Sequence, residues 1–243
     1  MDGQVTRDRG RANSLRAQLL GPRRHEVLSL DDIVEVGRVL TGDPDGMACY
    51  GLAPPAWYAR GVRLLGRTCV EATPDVTARP IAQTVHALLR PGGRIGVADL
   101  FVGSGNLMFH IAQALSASAC GVDADGAVWA QAVTNLRLVG VCWPVRLGDW
   151  LSYFDAPLSV DTAVYVVSPP WGSAFSFADG LDLAGTDPPV PLVVDTIAAR
   201  DQSPRCYAVV QHTPVEPVRN VSAVTGRYAL VGSGPGCFVV RIR

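Results

Sequence analysis

The sequence predicts an α/β fold in which a mostly parallel β-sheet has helices on both faces. From about residue 92, short apolar runs typical of strands alternate with longer segments of helical spacing, as in "RIGVADLF" followed by "GNLMFHIAQAL". Regular alternation of this kind requires crossover connections, and these produce a parallel sheet. The last two apolar runs, "RYALVGS" and "CFVVRIR", are joined by "GPG". Because that turn is too short for a crossover, we expect the sheet to end in an antiparallel pair.

The elements in between follow the same alternation. The strand "ACGVD" precedes the helix "GAVWAQAVTNLRL", and the strand "PVRLGD" follows it. The run "DTAVYVV" has the β-branched content of a buried strand. After a loop rich in Gly, Asp and Pro, a helix near "VPLVVDTIAARD" leads into the strand "RCYAVVQH". Together with the closing pair, these runs predict a seven-stranded sheet.

Residues 1 to 70 predict a small helical region instead. In "SLDDIVEVGRVL", Ser29 is a candidate helix N-cap with Asp32 three residues later, the spacing of a reciprocal cap. Ile33, Val36 and Leu40 then share one helical face. Segments such as "NSLRAQLL" and "PPAWYARGVRLL" also have helical spacing, with turn residues such as "TGDPDG" between them. The region is too short to form an independent hydrophobic core.

Composition restricts the class of function. The 243 residues have a formal net charge of −1, and every basic residue is arginine. Proteins that bind long nucleic acids usually have a basic excess, so such a partner is disfavoured. No run has the apolar length of a membrane span, and the arginine-rich N-terminus lacks the apolar core of a signal peptide, which predicts a cytoplasmic protein. Six scattered cysteines and four histidines show no metal-ligand spacing, so we expect free thiols and no metal site.

The first candidate binding motif is "DLFVGSGNL". A strand ends at Asp99, and Gly103 and Gly105 allow a tight turn into a helix whose free N–H groups face a ligand. The third glycine of the dinucleotide fingerprint would fall at Met108. NAD binding by the usual route is therefore not supported.

Acidic residues also follow the next two strands. Asp123 in "GVDAD" is placed to accept the hydroxyl groups of a ribose, and Asp125 is the natural cap of the following helix. In "LGDW", Asp149 is placed to accept a hydrogen bond from an adenine amino group, with Trp150 covering the ring. A helix cap is an equally good interpretation of Asp149.

Taken together, these residues resemble the class I S-adenosylmethionine-dependent methyltransferases. Asp99, Gly103 and Gly105 match the first motif of that family, and Asp123 and Asp149 match its ribose and adenine acids. Asn135 in "AVTNLRLVGV" stands where the family commonly has an asparagine. The resemblance covers about residues 70–243. It implies a Rossmann-like catalytic domain over residues 71–243 that binds S-adenosyl-L-methionine, with residues 1–70 as a helical lid region.

Two further stretches narrow the resemblance. The segment "EATPDVTARPIA" is similar to the Thr-Pro turn that covers the methionine end of the cofactor in amino-methyltransferases. The stretch "SPPWG" is similar to their (Asp/Asn/Ser)-Pro-Pro-aromatic motif, and trimethylguanosine synthases have this same form. The implied cofactor-binding residues are Thr73, Asp99, Gly103, Gly105, Asn106, Asp123, Asp149, Trp150 and Ser168. The implied catalytic residues are Ser168, Pro169 and Trp171.

The leading hypothesis is a methyltransferase for a small molecule, with a nitrogen or oxygen acceptor, in specialised metabolism. Ser168 and the Pro169 carbonyl would orient the nucleophile, and Trp171 would stack on the substrate or face the sulfonium. Trp57 and Tyr58 either close the pocket as part of the lid region or are buried inside it. The sequence assigns no general base and predicts no oligomeric state.

Two alternatives remain. Ser168 stands where many relatives have Asp or Asn, and serine is a weaker acceptor for an amine. Methyltransferase-like enzymes are known that cyclise S-adenosylmethionine itself, the amino group attacking the γ-carbon to give azetidine-2-carboxylic acid and methylthioadenosine. A catalytically silent protein that keeps the fold and binds another protein is the other alternative, which the intact cofactor motifs disfavour.

Overall fold

The computed structural model describes residues 2–89, 93–213 and 217–243. Its main sheet has seven strands in the order β3-β2-β1-β4-β7-β10-β9, and a small second sheet has the order β5-β6-β8. The strands are β1 Ile95–Asp99, β2 Ser118–Asp123, β3 Val145–Leu147, β4 Thr162–Val167, β5 Phe175–Ser176, β6 Gly180–Asp182, β7 Arg205–Gln211, β8 Val218–Arg219, β9 Ala229–Gly234 and β10 Cys237–Arg241.

The helices alternate with the strands of the main sheet after an N-terminal helical region. They are α1 Asp2–Leu20, α2 Leu30–Thr41, α3 Pro54–Ala59, α4 Gly66–Glu71, α5 Asp75–Leu88, α6 Asn106–Leu115, α7 Gly126–Leu138, α8 Val190–Arg200 and α9 Ser222–Thr225. Two short 3-10 turns, Trp150–Asp155 and Gly172–Ala174, follow β3 and the "SPPW" residues.

The strand order reverses between β1 and β4. From β1 the chain moves outward through β2 and β3, and it then returns to place β4 on the other side of β1. Both neighbours pair with β1 in parallel, with Asp99 opposite Gly121 on one side and Val166 on the other. In an open parallel sheet, the crevice at such a reversal is where ligands bind. The topology therefore predicts a ligand site at the carboxyl ends of β1, β2 and β4.

The far end of the sheet is antiparallel, as predicted. β10 pairs antiparallel with both β7 and β9. In the closing hairpin, the last strand, β10, therefore lies between β7 and β9, and β9 forms the edge of the sheet. The seven-stranded, mostly parallel arrangement with an antiparallel C-terminal pair is confirmed. The strongly apolar strand β4 is buried along its whole length, because helices cover both faces of a sheet of this type.

Two hydrophobic clusters fill the two sides of the sheet. One side packs Val97, Val164 and their neighbours against α5, α6 and α7, and it also takes in side chains from the N-terminal region such as Ile33 and Trp57. The other side packs strand residues such as Tyr165 against α8, represented by Val193. The N-terminal helices thus share their core with one face of the sheet.

Local sequence signals explain the helix ends. The predicted reciprocal cap of α2 is present, since the Ser29 side chain accepts from the Asp32 backbone N–H and Asp32 accepts from Ser29. Gly37 inside that helix is required by packing, because a Cβ atom there would stand 2.6 Å from the Asp43 carbonyl oxygen. Asp125 caps α7 as predicted, accepting from the Ala127 and Val128 N–H groups at 3.0 and 3.4 Å.

The second sheet is a feature that the sequence analysis missed. β5 and β6 lie in the Gly/Asp-rich segment after "SPPWG", where we expected a loop, and β6 pairs with β8 through Leu181 and Val218. These strands have two or three residues each, too few for an alternating pattern to be recognised. Helix α1 is also longer than the predicted segment "NSLRAQLL".

Within the described residues, no helix is both long enough and apolar enough to cross a membrane. All six cysteines are free thiols, with Cys142 exposed and the other five buried. No group of three or more His, Cys, Asp or Glu side chains in residues 2–89, 93–213 and 217–243 is arranged to hold a metal ion.

Candidate active site

A cavity of about 360 Å³ opens at the carboxyl ends of the central strands. It lies at the strand-order reversal, where the topology predicts a ligand site. Most of the side chains predicted from the sequence line it: Thr73, Asp99, Gly103, Asp123, Asp149, Trp150, Ser168, Pro169 and Trp171. Gly105 and Asn106 lie outside the lining. Residues from four strand ends, the Thr-Pro turn and the N-terminal helices therefore meet around one space.

Asp99, at the end of β1, is the most buried carboxylate of the cavity lining. Only 2% of the residue is exposed, and its Oδ1 accepts a hydrogen bond from the Phe101 N–H at 3.0 Å. Burial raises the pKa of Asp99 to about 7, with the charge of Asp123 adding to the effect and the Phe101 hydrogen bond opposing it. The ionised form of so buried a carboxylate is costly unless a cation pairs with it.

The glycine-rich turn after β1 adopts the left-handed conformation that its residues favour. Gly103 has φ +53° and Gly105 has φ +79°, values that cost an L-residue with a side chain roughly 1–2 kcal/mol. Gly105 precedes α6 and faces Leu136 of α7, which a Cβ atom would approach at 3.4 Å. Gly105 thus allows the turn to pack closely against α7, and Gly103 is the glycine of this turn that lines the cavity.

Asp123, at the end of β2, is connected to this turn. Its Oδ2 accepts from the Gly103 N–H at 2.9 Å, and its Oδ1 accepts from the Asp125 N–H at 3.0 Å. Burial raises the pKa of Asp123, although both backbone hydrogen bonds and the nearby Arg67 oppose the shift. The carboxylate is therefore fixed in orientation at the rim of the cavity, with lone pairs left for a ligand.

Asp125 faces a basic cluster from the N-terminal region. Its Oδ2 accepts from His25 at 2.9 Å, Arg67 at 3.1 Å and Arg24 at 3.3 Å. Burial alone would raise the pKa of Asp125, but the hydrogen bonds from His25 and from the α7 backbone lower it to about 2. Asp125 thus remains ionised and joins the N-terminal helices to the strand-end loops.

Asn106 connects neighbouring segments and does not line the cavity. Its Oδ1 accepts from the Tyr50 N–H at 2.6 Å, and its Nδ2 donates to the Thr73 carbonyl at 2.7 Å and to Asp75 at 3.2 Å. The side chain is fully buried, and these partners take up its amide. Asn106 therefore holds the Thr-Pro turn against the glycine-rich turn, since both of its side-chain N–H donors and one lone pair of its oxygen are used in these contacts.

Asp149 both caps a turn and lines the cavity. Its Oδ1 accepts from the Leu151 N–H at 2.8 Å, which starts the 3-10 turn after β3. The cap that we considered from the sequence is therefore present, and the side chain is exposed enough to contact a ligand as well. Trp150 packs beside Phe101, with ring centroids 6.3 Å apart. The two rings supply an apolar edge to this end of the cavity.

Ser168, the first residue after β4, donates its hydroxyl proton to Gln211. The Oγ–Oε1 distance is 2.8 Å, and the Gln211 amide nitrogen in turn donates to the His212 carbonyl at 3.3 Å. Gln211 ends β7, which lies next to β4 in parallel register. Since the hydroxyl proton is committed to Gln211, the lone pairs of Ser168 are the part of the group left for the cavity.

Trp171 lines the cavity and packs against Phe175, which lies outside the lining. Their ring centroids are 5.2 Å apart. The guanidinium of Arg16, from α1, lies 5.2 Å from the centroid of the Phe175 ring. Arg16 also lines the cavity. The first N-terminal helix therefore reaches the segment that follows the "SPPW" residues.

Several residues of the lining were not predicted from the sequence. They are chiefly Arg16, Arg67, Glu71, Phe101, Asp187 and Gln211. Gln211 had a detectable signal, since it is a polar residue at the end of a parallel strand, as Asp99 and Asp123 are. Arg16 had none, because nothing local relates a residue of an exposed helix to a strand end more than 150 positions away.

Trp57 and Tyr58 lie apart from the cavity lining. Trp57 is fully buried, and its indole N–H donates to the Met47 carbonyl at 3.3 Å. The Arg63 guanidinium lies 3.7 Å from the centroid of the Tyr58 ring. Of the two alternatives considered for Trp57, the structure shows burial within the N-terminal region.

Solved structures with a similar fold include methyltransferases. A protein described as a class I S-adenosylmethionine-dependent methyltransferase from Listeria monocytogenes matches with a TM-score of 0.50 and 13% identity, over 89% of this chain and 69% of that one. A methyltransferase from Geobacter sulfurreducens matches with a TM-score of 0.45 and 15% identity, over 70% of this chain and 80% of that one. No family model matches the sequence, and no curated protein matches it. The chain thus has the Rossmann-like fold of class I methyltransferases.

Proposed function

We propose that this protein is an S-adenosylmethionine-dependent methyltransferase that acts on nitrogen or oxygen of a small molecule. The observation that supports this most is the meeting of Asp99, Asp123 and Ser168, from three different strand ends, around one cavity. A fold on its own does not define an activity. Here the candidate binding and reacting groups lie at the strand-order reversal where this class of fold binds ligands.

The charge of the cavity suits this cofactor. Carboxylates outnumber guanidinium groups in the lining, which contains Glu71, Asp99, Asp123, Asp125, Asp149 and Asp187 against Arg16 and Arg67. S-adenosylmethionine has a net positive charge, because its ammonium and sulfonium groups outweigh its one carboxylate. Asp99 would bind the ammonium, Asp123 the ribose hydroxyls, and Asp149 with Trp150 the adenine. The Gly103 turn and Thr73 would border the methionine end.

When bound, the cofactor supplies an electrophilic methyl group on sulfur. The residues of this chain contribute alignment, which accounts for a large part of the acceleration in reactions of this kind. Ser168 presents oxygen lone pairs because its proton is donated to Gln211, and with the Pro169 carbonyl it would orient an N–H or O–H group of the acceptor. Trp171 would stack on the acceptor or face the sulfonium.

Cavity size and access favour a small acceptor. A volume of about 360 Å³ is at the lower end of the range for small-molecule sites. Arg16 and Arg67 bring the N-terminal region to the mouth, so residues 1–70 are proposed as a lid region that must shift for exchange. The likeness of "SPPWG" to trimethylguanosine synthases, the role in specialised metabolism and the cytoplasmic location stay predictions.

Calorimetry and product analysis test the proposal. The purified protein should bind S-adenosylmethionine with one site per chain, and it should release S-adenosylhomocysteine only when an acceptor is added. An Asp123→Asn variant is expected to weaken binding, whereas Asp195→Asn, at a half-exposed carboxylate of α8 outside the cavity lining, should not.

Two outcomes would replace the proposed activity. Methylthioadenosine formed from S-adenosylmethionine with no acceptor would favour cyclisation to azetidine-2-carboxylic acid, an alternative for which the similar structures give no support. Failure of S-adenosylmethionine to bind at all would favour a non-enzymatic protein partner that keeps only the fold.

A further inference from the structure

Arg16 differs from the other arginine of the cavity lining, Arg67, in the contacts that its guanidinium makes. In the part of the chain that the structure describes, its guanidinium makes no hydrogen bond or ion pair, and its recorded contact is with the Phe175 ring. Burial lowers the pKa of Arg16, and the charge of Glu71 opposes this. A partly buried guanidinium with unused donors is costly unless a ligand supplies the partner.

Glu71, the carboxylate whose charge acts on Arg16, is already engaged by Arg67. Glu71 accepts from the Arg67 Nε at 2.7 Å, and Arg67 reaches Asp125 at 3.1 Å with another nitrogen. The second guanidinium of the lining is therefore satisfied on two sides, while the donors of Arg16 remain available. The contrast between two arginines of one cavity indicates that the lining itself does not provide the anion for Arg16.

The ring contact of Arg16 points to the acceptor side of the cavity as the place of that anion. The guanidinium, Phe175 and Trp171 follow one another as neighbours, each separated by 5.2 Å. Trp171 belongs to the same short segment as Ser168, where the nucleophile of the acceptor would lie. The carboxylates Asp99 and Asp123 belong to other strands, so the proposed cation site and anion site of the cavity are formed by different elements.

We propose that the methyl acceptor is a carboxylic acid with a planar ring. Its carboxylate would be bound by the fork of Arg16 donors, and its ring would lie against Trp171, which Phe175 supports from behind. This proposal rests on the proposed methyltransferase function and specifies the class of its acceptor. A guanidinium that has no ion-pair partner among the described residues can bind one carboxylate in bidentate geometry.

Matched acids and amides test the proposal on protein loaded with S-adenosylhomocysteine. The probes are anthranilate with anthranilamide, benzoate with benzamide, and nicotinate with nicotinamide, titrated by ligand-observed NMR. At least one acid should bind on the order of tenfold more tightly than its amide. Arg16→Gln should remove that preference, and Arg16→Lys should retain part of it. Arg9→Gln, an exposed arginine of the same helix, is the matched control and should change nothing.

Cofactor binding separates the two proposals. S-adenosylmethionine affinity measured by calorimetry should differ by less than about twofold between the wild-type protein and Arg16→Gln. If S-adenosylmethionine binds but no acid is preferred over its amide, or if neither member of any pair binds, the acceptor proposal is overturned and the proposed function stands. A large loss of S-adenosylmethionine affinity in Arg16→Gln would also overturn it, because the guanidinium would then bind the cofactor. If the wild-type protein itself does not bind S-adenosylmethionine, the proposed function fails.

Discussion

The hydroxyl of Ser168 donates to the side-chain oxygen of Gln211 over 2.8 Å. The two residues lie 43 positions apart and are joined because β4 and β7 are parallel neighbours whose ends coincide. Gln211 is only 6% exposed, so its amide has little access to water. The contact converts a serine, which both donates and accepts, into a group that faces the cavity as an acceptor. Ser168 then has the hydrogen-bonding direction of the Asp or Asn of related motifs.

The first prediction concerns the free energy of this contact. Ser168→Ala and Gln211→Leu should each lower the free energy of unfolding, and a double-mutant cycle should give a coupling energy of about 1 kcal/mol. The measurement is urea unfolding of the wild type, both single variants and the double variant. As a control, Ser173→Ala, at an exposed neighbour of the motif, should show no coupling with Gln211→Leu. Additive effects of the Ser168 and Gln211 changes would show that the contact contributes nothing.

The second prediction concerns Asn106. Its replacement by alanine removes hydrogen bonds to the Tyr50 N–H and the Thr73 carbonyl and leaves both groups buried without partners. We expect the free energy of unfolding to fall by about 2–4 kcal/mol. Asn13→Ala, at an exposed position of α1, is the matched control and should stay within about 0.5 kcal/mol of the wild type. A loss below 1 kcal/mol, on that scale a typical surface effect, would contradict a connecting role for Asn106.

The third prediction concerns Asp125, whose pKa is lowered to about 2. Its ordinary pKa is about 3.9, so the ionised form contributes about 2 kcal/mol of stability at neutral pH. Because the folded pKa is depressed, this contribution is present above about pH 4 and is lost as the pH falls toward 2. Asp125→Asn should be destabilised at pH 7 and match the wild type at about pH 2. Equal stability of the two proteins at neutral pH would exclude the effect.

Much of the fold follows from patterns within single segments. The boundaries of α7 and β4 were evident from apolar periodicity and β-branched content, and the parallel sheet followed from their alternation. The strand-end acids Asp99 and Asp123 were predicted to meet because the carboxyl ends of parallel strands lie at one edge of a sheet. Their placement around one cavity agrees with that argument, and their roles toward a ligand stay predictions.

Features that depend on distant pairing were beyond the sequence. The contact of Ser168 with Gln211 requires the strand order of the sheet, and strand order is set by the crossovers rather than by either residue. The contacts of Asn106 are a second case, and its predicted role toward the cofactor stays a prediction. Its amide contacts Tyr50 and Thr73, which lie 56 and 33 positions earlier in the chain. The second sheet was not predicted because its strands are very short, such as the two that pair through Leu181 and Val218.

The fourth prediction concerns the pH dependence that Asp99 imposes. With a pKa of about 7, the folded protein keeps a proton on Asp99 that the unfolded chain releases near pH 4. The ligand-free protein should therefore lose stability from this group as the pH rises from about 4 to about 7, and Asp99→Asn should not show that loss. The affinity for a ligand with an ammonium group should instead increase as the pH rises, because the ionised form of Asp99 is the form that attracts a cation.

S-adenosylmethionine affinity should accordingly rise, by about tenfold or more, from about pH 5.5 to about pH 7.5, a range in which an α-amino group of pKa about 7.7–8.0 stays mostly protonated. Calorimetry across this range measures it, and Asp99→Asn should give a flat profile at low affinity. Methylthioadenosine, which retains the ribose but lacks the amino acid, is the matched ligand and should bind with little pH dependence. An equal rise for both ligands would assign the effect to Asp123, whose pKa is also raised by burial, and would exclude an ammonium site at Asp99.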